Sequence, residues 1–99
     1  MEDLILSVDL GTTAVKVALF ATSGELKALS TQEYSLLTPT PSVVEGAAAT
    51  YWDSLKKGIL DLKAKYPFAA ESVLALGLSA QGETLFCLDR DGVPLRNAI

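Results

Sequence analysis

The 99-residue sequence contains no histidine and only one cysteine, Cys87. The absence of histidine excludes imidazole acid–base catalysis and zinc sites with histidine ligands. A single cysteine excludes an internal disulfide and any metal site built from several cysteines, and it favours the reducing cytoplasm as the compartment. Because Cys87 stands in an apolar stretch, we predict that it packs in the core.

Basic residues are few, and no long apolar run is present. Eight Lys and Arg oppose twelve Asp and Glu, giving a formal charge of −4. Because these charges are scattered, neither nucleic acid nor an anionic membrane is expected as a partner. The uncharged stretch 34–44 holds Pro39 and Pro41, so no transmembrane helix is expected there. The N-terminus lacks the basic region of a signal peptide, because Glu2 and Asp3 stand in its place.

The composition is that of a globular domain. Hydrophobic residues make up 49% and charged residues 20% of the chain. Surface scaling allows one small domain of this length to bury about 64% of its unfolded surface. The mean hydropathy of +0.33 is high for a soluble domain of this size. It indicates either a dense core or apolar surface that belongs against something absent from this chain.

Alternating apolar residues predict a three-stranded antiparallel meander over residues 4–8, 14–20 and 26–34. Residues 36–46, which include both prolines, are expected to form a loop. A helix follows, and its apolar stripe consists of Trp52, Leu55, Ile59, Leu62 and Tyr66. Pro67 is expected to end it. For Trp52, packing in the core is favoured over stacking on a sugar ring.

A nearly continuous apolar run at residues 73–78 predicts a strand that is covered on both faces. A further strand is expected at 84–88, followed by a turn at 89–92. The order is therefore βββ-α-ββ. A helix that crosses over to a buried strand implies parallel pairing there, which makes the fold mixed α/β.

The strongest functional signal is Asp9-Leu10-Gly11-Thr12-Thr13, which lies between the first two strands. Gly11 allows a tight turn whose N–H groups can face a phosphate, and the threonine hydroxyls add donors. Asp9, at the end of a strand, offers a rigid carboxylate suited to Mg²⁺ or its water shell. Lys16 could neutralise phosphate charge. The alternative is an ordinary hairpin turn, for which Asp, Gly and Thr are common.

A second candidate site follows the apolar strand, at residues 79–84. Gln81 can donate and accept hydrogen bonds, and Glu83 can accept two from hydroxyl groups, which suits a polyhydroxylated ligand. Taken alone, this segment is more simply a polar connection between strands.

These segments resemble, in order, the start of an FGGY-family carbohydrate kinase of the actin-like, sugar-kinase and Hsp70 superfamily. The resemblance is carried by Asp9 to Thr13 with Lys16, by Val44-Glu45 and Tyr51-Trp52, by Gly77-Leu78-Ser79-Ala80-Gln81, and by the segment from Leu88 to Ile99 that includes Asp89, Gly92 and Pro94. The first motif is shared with Hsp70 proteins, whereas the later segments point to sugar kinases.

The resemblance implies a ribonuclease-H-like fold and transfer of the ATP γ-phosphate to a hydroxyl of a small sugar or polyol, with Mg²⁺. Asp9 would place Mg²⁺ and the phosphates, and Gly11, Thr12 and Thr13 would form the first phosphate loop. Lys16 would contact the transferring phosphoryl group. It also implies a sugar site lined by Gln81, Gly82 and Glu83.

The sequence departs from the family at two places. Glycerol kinases carry Arg where Gly82 stands, which argues against glycerol, and xylulokinases carry Met-His-Gly after the glutamine. Ala47-Ala48 replaces the usual Asp-Pro at the helix start, so a weaker N-cap is expected.

Residues 1–99 are therefore expected to be the N-terminal part of the first domain of a longer kinase, for which both a monomer and a homodimer stay open. The general base and adenosine site are expected further along, so the 99 residues alone should be inactive. The alternatives are a non-enzymatic actin-like or Hsp70-like nucleotide-binding or docking module, and an unrelated small α/β domain.

Overall fold

The fold is given by a computed structural model that describes residues 2–35, 37–40, 43–80 and 86–98. Its elements, in chain order, are β1 (Leu4–Leu10), β2 (Ala14–Ala21), β3 (Leu26–Glu33), β4 (Leu37–Thr40), β5 (Val43–Glu45), α1 (Ala48–Lys65), a 3₁₀ turn (Ala70–Ser72) and β6 (Val73–Ala80).

The first three strands form the predicted antiparallel meander. β1 pairs with β2 and β2 with β3, with Val8 opposite Val17 and Leu6 opposite Leu19. Because residues opposite each other in a ladder share a face, these side chains form one apolar face. The alternating apolar positions of the sequence therefore set both the strands and the face that is buried.

β6 joins the meander as a parallel neighbour of β1, so the main sheet has the order β3-β2-β1-β6. The predicted crossover and mixed sheet are confirmed. The prediction that this strand is covered on both faces is wrong, since Leu74, Leu76 and Leu78 are 58–65% exposed. β6 lies at the edge of the sheet, and α1 packs on β2 and β3 instead.

The segment expected to be a loop at residues 36–46 contains a short antiparallel ribbon of β4 and β5. That expectation is wrong for the described residues 37–40 and 43–45. Proline is tolerated in such a ribbon, because a two-stranded sheet has a free edge on each strand where no N–H group is needed. Pro39 therefore did not exclude a strand.

Helix α1 begins after Ala47 and ends before Tyr66, whose N–H group donates to the Leu62 carbonyl. The predicted stop before Pro67 is confirmed. Ala47 makes no side-chain cap hydrogen bond, and the first turn carries no acidic residue, as the missing Asp-Pro pair suggested.

Four of the five residues of the predicted stripe are confirmed, because Leu62 is buried in the core and Leu55, Ile59 and Tyr66 pack against it. The buried face of α1 also includes two small residues that the stripe left out. Its buried residues are Ser54, Gly58 and Leu62, with Leu55 and Ile59 partly buried, while Trp52 is 60% exposed. The prediction that Trp52 packs in the core is wrong. Small residues at these positions allow the helix backbone to lie close to the sheet. At Gly58 the approach is so close that a Cβ atom would lie 2.7 Å from Val17 Cγ2.

A polar contact fixes the other end of α1 to β3. Lys65 donates a hydrogen bond of 2.9 Å to the Leu29 carbonyl and pairs with Asp61 at 3.0 Å. Asp61 also accepts a hydrogen bond from the buried Ser30. This hydrogen bond and, to a smaller extent, the contact with Lys65 lower the pKa of the Asp61 carboxyl. The helix is thus held by polar bonds at its carboxyl end and by close packing at its centre.

The predicted strand at 84–88 begins outside the described residues, since 81–85 are not among them. Phe86 and Cys87 do not lie in a strand, and Leu88 forms only a single bridge with Pro94. Cys87 is exposed, so its predicted burial is wrong. The turn at 89–92 is confirmed, because Asp89 Oδ1 accepts the N–H groups of Asp91 and Val93, each at 2.9 Å.

Candidate functional site

The predicted phosphate turn connects β1 to β2. Asp9 and Leu10 end β1, and residues 11–13 form the turn, in which Thr12 and Thr13 are exposed. The Gly11 amide donates to the Ala14 carbonyl at 2.9 Å, and a Cβ atom on Gly11 would lie only 3.0 Å from that oxygen. Glycine at this position therefore follows from the close approach of the two backbone segments.

Asp9 and Lys16 are directly opposite each other in the β1–β2 ladder. The register places Thr31 of β3 beside Lys16 and Ser79 of β6 beside Asp9, and all four residues are exposed. Paired residues share a face of the sheet, so these side chains form a polar row across four strands. The row lies on the face opposite the one that Val8 and Val17 present to α1.

The two charges of this row are open to a ligand. In the described part of the chain, neither Asp9 nor Lys16 belongs to an ion pair. Directly opposite residues have Cβ atoms about 5 Å apart, so a carboxylate and an ammonium group can act on one ligand from neighbouring strands. The sequence singled out both residues, and the ladder brings them together.

Tyr34 contacts the turn from the side of α1. Its hydroxyl donates a hydrogen bond to the Gly11 carbonyl, and its amide donates to the Thr13 carbonyl at 2.9 Å. Burial, with smaller contributions from Tyr51 and the negative charge of Asp9, raises the pKa of Tyr34 to about 12. A hollow of about 330 Å³ lies beside the turn and is lined by Thr13, Glu33, Tyr34 and Ser35.

Three aromatic rings connect the turn to the far end of the chain. The Tyr34 ring meets Tyr51 of α1 edge to face, with centroids 5.0 Å apart, and Tyr51 meets Phe86 in the same way at 5.7 Å. Sequence reasoning did not assign a role to Tyr34 or Phe86. The available signal was an aromatic residue directly after the polar end of β3, a strand at the sheet edge.

An apolar groove of about 410 Å³ lies between the start of α1, the end of β6 and the segment after Phe86. Trp52 lines it, together with Leu10, Tyr51, Leu55, Ala80, Phe86 and Leu88. Trp52 thus forms part of the wall of this groove and does not lie in the core.

The predicted sugar-site residues Gln81, Gly82 and Glu83 lie outside the described residues. The residues just before them are placed: Ser79 is the partner of Asp9, and Ala80 is the partner of Leu10. The segment that carries the second candidate site therefore starts one strand away from the turn between β1 and β2.

A divalent cation would find the Asp9 carboxylate at the end of β1, and Glu33 lines the hollow beside the turn. Among the described residues, no three His, Cys, Asp or Glu side chains cluster closely enough to hold a metal ion. One exposed carboxylate nevertheless fits Mg²⁺, which keeps several waters and is usually bound by one or two carboxylates and substrate phosphates. No helix within the described ranges is long and apolar enough to cross a membrane.

Comparison with known proteins gives consistent matches over the whole chain. The chain is 35% identical to the glycerol kinase of Geobacillus sp. (strain WCH70) over 100 residues, which is 100% of the chain and 20% of the relative. The structure of a xylulose kinase from Brucella ovis superimposes with a TM-score of 0.91 at 27% identity, covering 97% of this chain and 20% of that one.

A second solved structure, Plasmodium falciparum glycerol kinase with ADP, superimposes with a TM-score of 0.83 at 27% identity, over 99% of this chain and 20% of that one. The chain thus spans about a fifth of the length of the relatives it matches. These matches place its sheet and helix in the actin-like ATPase fold of such kinases.

The family model described as the N-terminal domain of the FGGY family of carbohydrate kinases matches residues 4–99. The match includes the turn between β1 and β2, the crossover helix and β6, which are among the segments that carry the resemblance in the sequence. The chain belongs to the FGGY family of carbohydrate kinases, within whose N-terminal domain it lies.

Proposed function

We propose that this chain is part of a kinase that transfers the γ-phosphate of ATP to a hydroxyl of a small sugar or polyol, and that it supplies the first phosphate loop and part of the sugar site. The observation that carries the proposal is the juxtaposition of Asp9 and Lys16 beside the exposed turn at residues 11–13. Phosphoryl transfer depends mainly on positioning and charge neutralisation, and such a turn offers both.

Each residue of the turn has a distinct role in this proposal. Gly11, Thr12 and Thr13 offer backbone N–H groups and hydroxyls to the phosphates, and Lys16 offsets the charge of the phosphoryl group in transit. Asp9 holds Mg²⁺ or one of its waters. Bound Mg²⁺ would neutralise negative charge on the phosphate oxygens. The carboxylate stands at the end of a paired strand, so its backbone is fixed before the ligand arrives.

The sugar would be bound by Gln81, Gly82 and Glu83, which follow β6. Support comes from register: Ser79 lies beside Asp9, so the sugar segment begins next to the proposed metal and phosphate ligands. Glycine stands at position 82, where the resemblance implies an arginine in glycerol kinases. We therefore favour a sugar or polyol other than glycerol, although relatives named glycerol kinase are among the matches.

The turnover proposed here belongs to a longer protein. The relatives are about five times as long as this chain. The general base and the adenosine site are proposed to lie in the part of such a protein outside these 99 residues. The 99 residues alone are expected to bind phosphate groups weakly and to show no sugar-dependent ATP hydrolysis. A sugar-dependent rate from the isolated chain would overturn this division of roles.

The phosphate turn can be tested by NMR on the ¹⁵N-labelled 99-residue chain. Magnesium pyrophosphate should shift the amide signals of Gly11, Thr12 and Thr13, and it should do so less strongly without Mg²⁺. Asp9→Asn should weaken this binding about tenfold or more, because it removes the carboxylate that faces the cation. Asp3→Asn is the matched control, since it removes one exposed charge before β1, away from the turn. Equal weakening by both variants would show only a general charge effect and would contradict the assignment of Asp9.

A further inference from the structure

We propose that Tyr34 is a positioning residue that holds the phosphate turn in its binding conformation through the backbone carbonyls of Gly11 and Thr13. This inference rests on the proposed function, because it assigns a purpose to a conformation of the turn. Tyr34 follows β3, 23 residues beyond Gly11 in the chain, so the contact exists only in the folded molecule.

Some backbone groups of the turn are hydrogen-bonded to the rest of the fold, and others remain available to a ligand. Tyr34 donates twice, from its hydroxyl to the Gly11 carbonyl and from its amide to the Thr13 carbonyl at 2.9 Å. The Ala14 carbonyl accepts the Gly11 amide. The amides of Thr12 and Thr13 are not donors in these bonds. The Gly11 carbonyl shares its peptide plane with the Thr12 amide, and the Thr13 carbonyl shares its plane with the Ala14 amide. The two bonds therefore fix the direction of the Thr12 amide directly, and they hold the peptide planes on either side of the one that carries the Thr13 amide.

Tyr34 is itself held in place. Its ring packs against the buried core cluster and meets Tyr51 of α1 at 5.0 Å. Tyr51 closely contacts Gly46, where a Cβ atom would lie 2.6 Å from its hydroxyl oxygen. Gly46 in turn exchanges two backbone hydrogen bonds with Ala98, at 2.8 and 2.9 Å. The clamp on the turn is therefore anchored to the start of α1 and to the end of the described chain.

The hydroxyl approaches from the α1 side, whereas Asp9 and Lys16 lie on the opposite face of the sheet. Tyr34 can therefore support the turn without occupying the side that faces the ligand. A tyrosine hydroxyl keeps its proton at physiological pH even at its ordinary pKa near 10, so it is a donor there, and burial raises the pKa of Tyr34 further, to about 12. Tyrosine in this position supplies a donor that phenylalanine cannot, with nearly the same ring.

The test compares Tyr34→Phe with the wild-type 99-residue chain. The control is Tyr66→Phe, which also removes one tyrosine hydroxyl hydrogen bond, the one to Glu2. We expect Tyr34→Phe to lower the ¹⁵N order parameters of Thr12 and Thr13 and to speed exchange of the Gly11 amide by about fivefold, the factor that corresponds to one neutral hydrogen bond. Affinity for magnesium pyrophosphate should fall by a similar factor. Tyr66→Phe should change none of these.

The outcomes separate the two proposals. Unchanged order at Thr12 and Thr13 in Tyr34→Phe overturns the positioning role, whatever the affinity. If wild-type turn signals do not respond to magnesium pyrophosphate, the proposed function fails, whereas the order measurement still decides the role of Tyr34. If Tyr34→Phe also lowers the order of α1 and the sheet, a second variant, Tyr51→Leu, decides. It keeps the Tyr34 hydroxyl but removes the aromatic ring that packs against Tyr34, so we expect lower order parameters at Thr12 and Thr13. Lower order in α1 with unchanged order at Thr12 and Thr13 would contradict the positioning role.

Discussion

At the scale of single residues, small side chains set how closely α1 approaches the sheet. Ser54 and Gly58 are buried against it, while the large Trp52 is left exposed beside the groove. An apolar stripe read from the sequence weights large residues, so it included Trp52 and left out Ser54 and Gly58. The signal that could have corrected it is the spacing of Ser54, Gly58 and Leu62, one residue every four along the helix.

Gly58→Ala tests this close approach. The new methyl group would lie 2.7 Å from Val17 Cγ2, and Val17 is fully buried in the core. Overpacking of this kind costs about 1–3 kcal/mol, against a gain of at most about 1 kcal/mol in helix propensity. We expect the free energy of unfolding, measured by urea denaturation, to fall by about 1 kcal/mol.

Gly77→Ala is the matched control for that substitution. Nothing lies within 4 Å of a Cβ atom at Gly77, so the free energy of unfolding should stay within about 0.5 kcal/mol of wild type or rise slightly. If Gly58→Ala were more stable than wild type, the close packing of α1 on the sheet would not require glycine at position 58.

At the scale of elements, α1 lacks favourable groups at its amino end. Ala47 has the extended backbone of an N-cap, with φ −86° and ψ 137°, but no side chain that can accept an N–H group. The carboxyl end carries Lys63 and Lys65, which complement the helix dipole. The helix is therefore stabilised at one end and weakly stabilised at the other, as the sequence indicated from Ala47-Ala48.

Ala47→Asp should correct that weakness. An aspartate at the N-cap accepts an orphan N–H group and complements the dipole, so we expect the free energy of unfolding to rise by about 0.5–1 kcal/mol in chemical denaturation. Ala64→Asp adds the same charge on an exposed position of the last turn, where it should lower stability by about 0.5 kcal/mol. A gain from both variants would point to net charge or solubility rather than capping.

At the scale of the whole molecule, the chain is less compact than a self-contained domain of its length. Its accessible surface is 6550 Å², against about 5,400 Å² expected from its mass. Its radius of gyration is 15.4 Å, against about 13 Å for 100 residues. The excess surface agrees with the exposed leucines of β6 and with the apolar groove. The high mean hydropathy therefore reflects apolar residues that are exposed as well as those buried in the core.

Two leucine substitutions separate the core from that uncovered surface. Leu62→Ala removes a fully buried side chain and should lower the free energy of unfolding by about 2–5 kcal/mol. Leu78→Ala truncates a side chain that is 65% exposed and should cost under about 1 kcal/mol. Thermal or urea unfolding of both variants gives the comparison. A cost at Leu78 close to that at Leu62 would show that β6 is covered in solution, for example by self-association.

The amino-acid sequence by itself determined the meander, the crossover helix and the turn between β1 and β2, because each depends on local periodicity or on a residue with special backbone properties such as Gly11 or Pro67. It also singled out Asp9 and Lys16. Only the tertiary structure decided which residues meet. The ladder put Asp9 opposite Lys16 and beside Ser79, and the fold brought Tyr34 to the Gly11 carbonyl. The tertiary structure also decided burial at β6, because the exposure of Leu76 and Leu78 depends on where α1 packs and on what lies beyond the edge strand, and neither is encoded in the local pattern.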